Sequence, residues 1–287
     1  MILGADRPAV IAHIKELAEN EDWNAKAELD DPAVDDEQKM ELIKNFLKKK
    51  KSAGYSSKHK IAESIIQANT KLNTRNTRFE GLEKIEDIQD GAIITCNHFN
   101  QLDSTLVHAL IEKKDSKPVY TVIEETNLDL PGLFGFLMNY GSNIPISVNY
   151  DYMRHEFMDQ LEEVRDKKGY ILIYPEQEMW FNYRRPRPLK RGAYYYASKL
   201  NLPVISLFAQ MVDREEMDDE NFHQVDYVVH VLDPLYPDPD KSDRLNSIEM
   251  ARQDEKQRQE AYESIYGRKL SDPFSEDDIA GYVWPAE

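Results

Sequence analysis

The segment "GAIITCNHFNQLDST", residues 91–105, places polar and titratable side chains where an apolar run ends. The Ala-Ile-Ile run at 92–94 is typical of a buried strand, and "STLVHALIEKK" after it is typical of a helix. His98 and Asp103 lie between the two. Residues five positions apart are about 140° apart around a regular helix. The two side chains therefore meet only if His98 lies in the turn and Asp103 in the first helical turn.

A carboxylate that contacts an imidazole fixes its tautomer and orientation, so that the other ring nitrogen can act as a base. The chain has no Gly-x-Ser-x-Gly segment that would supply a serine nucleophile. The pair therefore predicts direct activation of a substrate hydroxyl, without a covalent enzyme intermediate. The alternative is that His98 only closes the strand, Asp103 only caps the helix, and neither takes part in chemistry.

The segments on both sides of this turn alternate between strand and helix patterns. We therefore predict an α/β fold with a mixed sheet flanked by helices. We expect a helical N-terminal region at 1–75, an α/β core at 76–235 and an acidic helical C-terminal extension at 236–287. We expect "YMRHEFMDQLEEVRDKK" to form a single helix and the tail after the last helix to lack regular structure.

Composition excludes several classes of protein. Hydrophobic residues make up 41 % of the 287, which is enough for a sizeable core. The single cysteine fits a reducing cytoplasm, and no Cys/His cluster has the spacing of metal ligands. The acidic N-terminus does not resemble a signal peptide, so we expect a cytoplasmic protein. The net charge is −17, and residues 212–287 hold 21 acidic and 8 basic side chains, which disfavours a nucleic-acid partner.

Further segments carry a resemblance to a known family. "FEGLEKIEDIQDGAIITCNHFNQLDS" is followed by "YPEQE" at 174–178 and then by "LKRGAYYYASKLNLPVIS". In this order they resemble the glycerolipid acyltransferases, the lysophosphatidate and glycerol-3-phosphate acyltransferases of phospholipid biosynthesis. The resemblance covers about residues 76–235, roughly half of the chain. It implies the α/β fold of that family and an enzyme of lipid metabolism.

The resemblance also implies roles for individual residues. His98 would be the general base for the acceptor hydroxyl, and Asp103 would hold and polarise it. Asn97 would support the turn, and Glu176 would bind the acceptor or shape the site. The donor would be an acyl thioester of coenzyme A or acyl carrier protein, and the acceptor a glycerolipid, glycolipid or polyol. No metal and no further cofactor would be needed.

Two segments depart from the family pattern. Ser147 occupies the place of an arginine that contacts the acceptor phosphate, and "QEM" at 177–179 replaces the usual Gly-Thr-Arg. A nearby basic segment could hold a phosphate instead, through Arg184, Arg185, Arg187, Lys190 and Arg191. The alternative is that this segment is a solvated basic loop. We expect an uncharged or glycosylated acceptor, unless the phosphate is held by these arginines.

A lipid substrate raises the question of membrane contact. The predicted helix at 38–51 is amphipathic and ends in four lysines, Lys48 to Lys51, which favours binding at the inner face of the cell membrane as a peripheral protein. The alternative is an ordinary core helix. For the apolar segment 133–138 we expect core packing or an acyl tunnel. Two rival functions are open: a non-catalytic relative that binds a lipid or an acyl carrier, and a hydrolase whose pair activates water.

Overall fold

The computed structural model describes residues 6–29 and 34–285. Residues 1–5 of the N-terminal stretch, which entered the prediction about a signal peptide, lie outside the described residues. Within the described ranges, no helix has both the length and the apolar composition that are needed to cross a membrane.

Nine α-helices and seven β-strands can be assigned in the described residues. The helices are α1 Arg7–Glu19, α2 Asp36–Lys50, α3 Tyr55–Asn73, α4 Ser104–Lys114, α5 Gly132–Tyr140, α6 Tyr150–Arg154, α7 Glu156–Asp166, α8 Gly192–Leu200 and α9 Asp243–Tyr266. The strands are β1 Arg78–Glu80, β2 Ala92–Thr95, β3 Val119–Glu124, β4 Asn143–Ile146, β5 Tyr170–Leu172, β6 Val204–Met217 and β7 His223–Val231.

The seven strands form one sheet in the order β1-β7-β6-β2-β5-β3-β4. Only β6 and β7 pair antiparallel, and the other neighbours run parallel. The central strands β2 and β5 are buried on both faces, which explains why they read as continuous apolar runs. The predicted α/β class with a mixed sheet flanked by helices is confirmed.

Both faces of the sheet carry a hydrophobic core, and helices α2 and α9 take part in one of them. Alternate residues of β2 point to opposite sides, so Ile94 packs against α4 and Ile93 against α7 and α8. The second cluster also contains Ile43 of α2 and Met250 of α9. Helix α2 of the predicted N-terminal region and α9 of the C-terminal region therefore pack on the same core as the sheet, whereas α1 packs in a separate cluster with Trp180 and Phe222. The division of the chain into three regions stays a prediction.

Two local expectations differ from the structure. The single helix expected over 152–168 is divided into α6 and α7 at His155, whose ψ of −81° departs from helical geometry. The tail beyond α9 makes isolated strand-like pairs, Ile279 with Tyr183 and Tyr282 with Phe222. These pairs depend on residues far away in the sequence, so the composition of the tail does not reveal them.

Candidate active site

The loops that follow β2 and β5 meet at one edge of the sheet. These strands are parallel neighbours, with Ile94 beside Leu172, so their carboxyl ends lie side by side. His98 follows β2, and Tyr174 and Glu176 follow β5. Such an edge is where open α/β sheets bind their ligands.

His98 and Asp103 lie in direct contact. Nδ1 of His98 is 2.8 Å from Oδ2 of Asp103. The Asp103 side chain is almost fully buried, whereas 21 % of the His98 side chain is exposed. The geometry matches the arrangement expected from the sequence, with His98 in the turn and Asp103 at the N-cap of α4. The catalytic role of the pair stays a prediction.

Asp103 is held by four donors. Its Oδ2 accepts hydrogen bonds from the backbone N–H groups of Phe99, at 3.0 Å, and Asn100, at 3.3 Å, in addition to His98. Its Oδ1 accepts a hydrogen bond from the Tyr174 hydroxyl at 2.5 Å. The carboxylate thus organises the turn as well as the imidazole.

Asn97 ties the turn to the neighbouring strand β6. Its amide Nδ2 donates to the carbonyl of Ala209 at 3.1 Å, and its Oδ1 accepts from the N–H of Ala209 at 2.8 Å. Asn97 is buried, so these two bonds replace those that its amide would make with water. This geometry agrees with the expectation that Asn97 supports the turn.

Glu176 is buried and bonded within the protein. Its carboxylate pairs with Arg187 at 3.1 Å and accepts from the backbone N–H of Arg187 at 3.3 Å and of His98 at 3.4 Å. Arg187 also lies over the Trp180 ring, 4.8 Å from its centroid. The backbone N–H of Trp180 donates to the carbonyl of His98 at 3.1 Å. Glu176 therefore joins the loop after β5 to the histidine turn, which fits a role in shaping the site.

Three of the five basic residues in this segment are neither solvated nor open to a phosphate, whereas Lys190 and Arg191 are exposed. Arg184, Arg185 and Arg187 are all buried. Arg184 pairs with Asp213 at 2.6 Å, and Arg185 pairs with Asp278 at 3.5 Å. Because partners within the chain neutralise these guanidinium groups, the structure corrects both sequence-based interpretations of the three arginines.

Lys190 differs from these arginines. Its side chain is exposed, while its backbone N–H donates to the carbonyl of Pro175 at 2.8 Å. Lys190 therefore lies next to the loop after β5 and can reach solvent. Its role in substrate binding stays a prediction.

Sequence reasoning missed two features around the pair. Tyr174 contacts both His98 and Asp103, although nothing in the segment "YPEQE" predicts these contacts. In α9, Asp254 and Arg258 form a fully buried pair at 3.3 Å. The signal for this pair was an Asp and an Arg four positions apart in a helix, a spacing that is also common on solvated surfaces.

A cavity of about 270 Å³ lies beside the turn. Asp103, Phe99, Asn100, Asn182 and Phe222 contribute to its wall, but His98 does not. Over the described part of the chain, no group of three or more His, Cys, Asp or Glu side chains is arranged to hold a metal ion.

Comparisons with known proteins agree with this organisation. Residues 76–210 match the family model described as Acyltransferase. Among solved structures, the 1-acyl-sn-glycerophosphate (LPA) acyltransferase PlsC from Thermotoga maritima is similar, with a TM-score of 0.49 and 14 % identity over 73 % of this chain and 83 % of that chain. No curated protein sequence matches the chain. Residues 76–210 of this chain therefore form a domain of the acyltransferase family.

Proposed function

We propose that the protein transfers a fatty acyl group from a thioester to a hydroxyl group of a lipid or polyol acceptor. His98 takes the proton of the acceptor hydroxyl on Nε2, and the oxygen attacks the thioester carbonyl carbon. The C–S bond then breaks, an ester forms, and the imidazolium returns its proton to the leaving thiolate. Asp103 keeps Nδ1 protonated and stabilises the imidazolium.

The observation that carries this proposal is the 2.8 Å contact between His98 and the buried Asp103 inside the acyltransferase domain. Because Oδ2 of Asp103 accepts from Nδ1, the other nitrogen of the partly exposed ring is free to accept a proton. The pair has the orientation that a general base needs. Coenzyme A or acyl carrier protein supplies the thioester in this proposal.

The acceptor that we propose is uncharged or glycosylated. Ser147 and Met179 stand where related enzymes carry arginines, and neither can neutralise a phosphate. Of the arginines that could have replaced them, Arg184, Arg185 and Arg187 are buried and paired within the chain, and only Arg191 is exposed. A charge-assisted hydrogen bond contributes about 1.5 to 3 kcal/mol, so each missing arginine weakens a phosphate acceptor by roughly ten- to a hundredfold.

We further propose that α5 and the lysines around it contact a membrane surface. Leu133 of α5 and Ile61 of α3 are each 54 % exposed, whereas core packing or an acyl tunnel was the expectation for 133–138. Lys58 lies 5.0 Å above the ring of Tyr140 at the end of α5, and Lys48 and Lys51 are exposed. Apolar side chains surrounded by lysines fit an anionic lipid surface.

Two of the four lysines predicted to bind the membrane face the protein instead. Lys49 donates to the side chain of Asn139 at 2.7 Å. Lys50 donates to Gln160 at 3.3 Å, and burial lowers the pKa of Lys50. The proposed electrostatic contact therefore rests on Lys48, Lys51 and Lys58.

The proposed reaction can be tested with a radiolabelled acyl donor, as the coenzyme A and the acyl carrier protein thioester. Each is incubated alone, with lysophosphatidate, and with a diacylglycerol-type glycolipid. We expect label in the glycolipid product and little in the lysophosphatidate product. Efficient transfer to lysophosphatidate would contradict the proposed acceptor. Loss of the thioester without any acceptor would indicate a hydrolase, and binding without turnover would indicate a non-catalytic lipid- or carrier-binding protein.

A further inference from the structure

We propose that Tyr174 is a positioning residue for the His98–Asp103 pair, in which the hydroxyl group sets the strength of the carboxylate and the ring fixes the plane of the imidazole. This inference rests on the proposed function, because it concerns the same general base. Tyr174 lies two residues beyond the end of β5 and is contributed by a different loop from the pair itself.

Tyr174 contacts both members of the pair. Its hydroxyl donates to Oδ1 of Asp103 at 2.5 Å, while His98 donates to Oδ2 at 2.8 Å. Its ring is stacked on the imidazole, with the centroids 4.0 Å apart and the planes 17° apart. A stacked ring prevents the imidazole from rotating out of the plane in which it bonds to Asp103. Each carboxylate oxygen of Asp103 thus has its own side-chain donor, His98 for Oδ2 and Tyr174 for Oδ1.

The tyrosine is a neutral donor throughout the working range of pH. Burial, together with the charge of Asp103, raises the pKa of Tyr174 well above its ordinary value. The Tyr174 hydroxyl therefore donates a hydrogen bond to Oδ1 throughout this range. The bond draws negative charge toward Oδ1 and away from Oδ2, the oxygen that contacts His98. A weaker carboxylate stabilises the imidazolium less, so we expect removal of the hydroxyl to strengthen the interaction of Asp103 with a protonated His98.

The other charged groups near His98 do not duplicate this effect. Glu176 approaches the backbone N–H of His98, at 3.4 Å, and its own charge is paired with Arg187. Phe99 and Asn100 contact Oδ2 of Asp103 through their backbone N–H groups, which a substitution of side chains leaves in place. The side chain of Tyr174 donates to Oδ1 of Asp103, so a substitution of Tyr174 removes that bond.

The chain offers a matched control at the other end of β5. Tyr170 is also buried, and its hydroxyl also donates to a carboxylate, that of Asp115, at 2.7 Å. Tyr170→Phe removes a tyrosine–aspartate hydrogen bond of the same kind, but Asp115 makes no contact with His98. The effects of losing a buried hydroxyl on stability can thus be separated from the effects on the pair.

The experiment compares Tyr174→Phe, Tyr170→Phe and the unmodified protein. In Tyr174→Phe we expect the acid limb of kcat/KM against pH to move upward by about one pH unit, with a loss of up to roughly tenfold on that limb and little change on the plateau. NMR of the His98 imidazole, recorded without substrate, should show its titration moving in the same direction. Tyr170→Phe should leave both unchanged.

A second variant, Tyr174→Leu, removes the stacked ring as well. We expect it to lower kcat further on the plateau while KM stays the same, because the imidazole loses its fixed plane. If the His98 titration in Tyr174→Phe coincides with that in Tyr170→Phe, the inference is wrong. The NMR arm needs no turnover, so it decides this question even if the proposed acyl transfer is not observed.

Discussion

Gln177 adopts a backbone conformation that residues with a side chain rarely take. Its φ is +65°, in the left-handed region that favours glycine. The N–H of Gln177 donates to the carbonyl of Tyr174 at 3.1 Å, which closes a turn over residues 174–177. The left-handed conformation costs about 1 to 2 kcal/mol for a residue with a Cβ.

Gln177→Gly should therefore stabilise the protein. Relief of the strain exceeds the extra entropy that glycine gives to the unfolded chain, so we expect a gain of about 0.5 to 1 kcal/mol in the free energy of unfolding. Urea denaturation measures it. Gln177→Ala is the control, because it shortens the side chain but keeps the strain. An equal gain in the alanine variant would show that the backbone is not the cause.

His98→Ala should remove the general base while leaving the fold in place. The side chain is partly exposed and contacts Tyr174 and Asp103, so we expect a loss of roughly 10² to 10⁴-fold in kcat with nearly unchanged far-UV circular dichroism. Asp103→Asn should lose a similar amount or less. A folded His98→Ala protein with full activity would disprove the mechanism. Turnover with saturating donor and acceptor is the measurement.

The contact between His98 and Asp103 could be predicted because both residues lie in one short segment with a strand before it and a helix after it. The partners of the buried arginines could not be predicted in this way. Arg185 finds Asp278 93 positions later, and Arg187 bonds to the carbonyl of Trp23, 164 positions earlier. Spacing along the sequence reports local pairs, whereas these partners meet only after the chain has folded.

Among the helices, α9 does more than cover the sheet. Its buried Asp254 accepts hydrogen bonds from Thr95 of β2 at 3.0 Å and from Tyr194 of α8 at 2.5 Å, and it also bonds to Ser206 of β6. Thr95 lies three residues before His98. A helix from the acidic C-terminal extension, outside residues 76–210, thus joins three elements directly behind the candidate site.

Asp254→Ala should be strongly destabilising. It leaves the fully buried Arg258 guanidinium without its carboxylate, and breaking one partner out of a buried pair costs about 3 to 5 kcal/mol. Glu260→Ala on the same helix is the control, since its pair with Lys256 is exposed and should contribute less than about 1 kcal/mol. Chemical denaturation gives both values. Similar losses in the two variants would mean that α9 does not brace the core.

The boundaries of these elements were predictable only in part. The strands β2 and β5 are short apolar runs that end at polar residues, which the sequence shows directly. The break between α6 and α7 has no proline or glycine to mark it, and the amphipathic pattern continues across His155. Local composition therefore located the central strands but could not locate a break that the surrounding packing imposes.

The charge of the whole chain is at odds with binding to an anionic surface. The net charge is −17, so a membrane of the same sign repels the protein at long range. The acidic excess is concentrated in residues 212–287, whereas Lys48 and Lys51 are exposed at the end of α2 and Lys58 is exposed on α3, above the ring of Tyr140. Attraction to anionic lipid must therefore come from the face that carries these lysines. We expect the protein to bind with that face toward the membrane.

Vesicle sedimentation tests this orientation. We expect anionic vesicles to bind the protein more tightly than neutral ones, and binding to weaken as salt shortens the Debye length to about 3 Å at 1 M. Lys48→Glu with Lys51→Glu should lower the affinity at least roughly thirtyfold, at about 1 kcal/mol for each lost lysine. Leu133→Ser should weaken the binding that remains in high salt. Lys256→Glu with Lys269→Glu makes the same change in charge at exposed positions elsewhere, so an equal loss there would show that net charge, and not this face, governs binding.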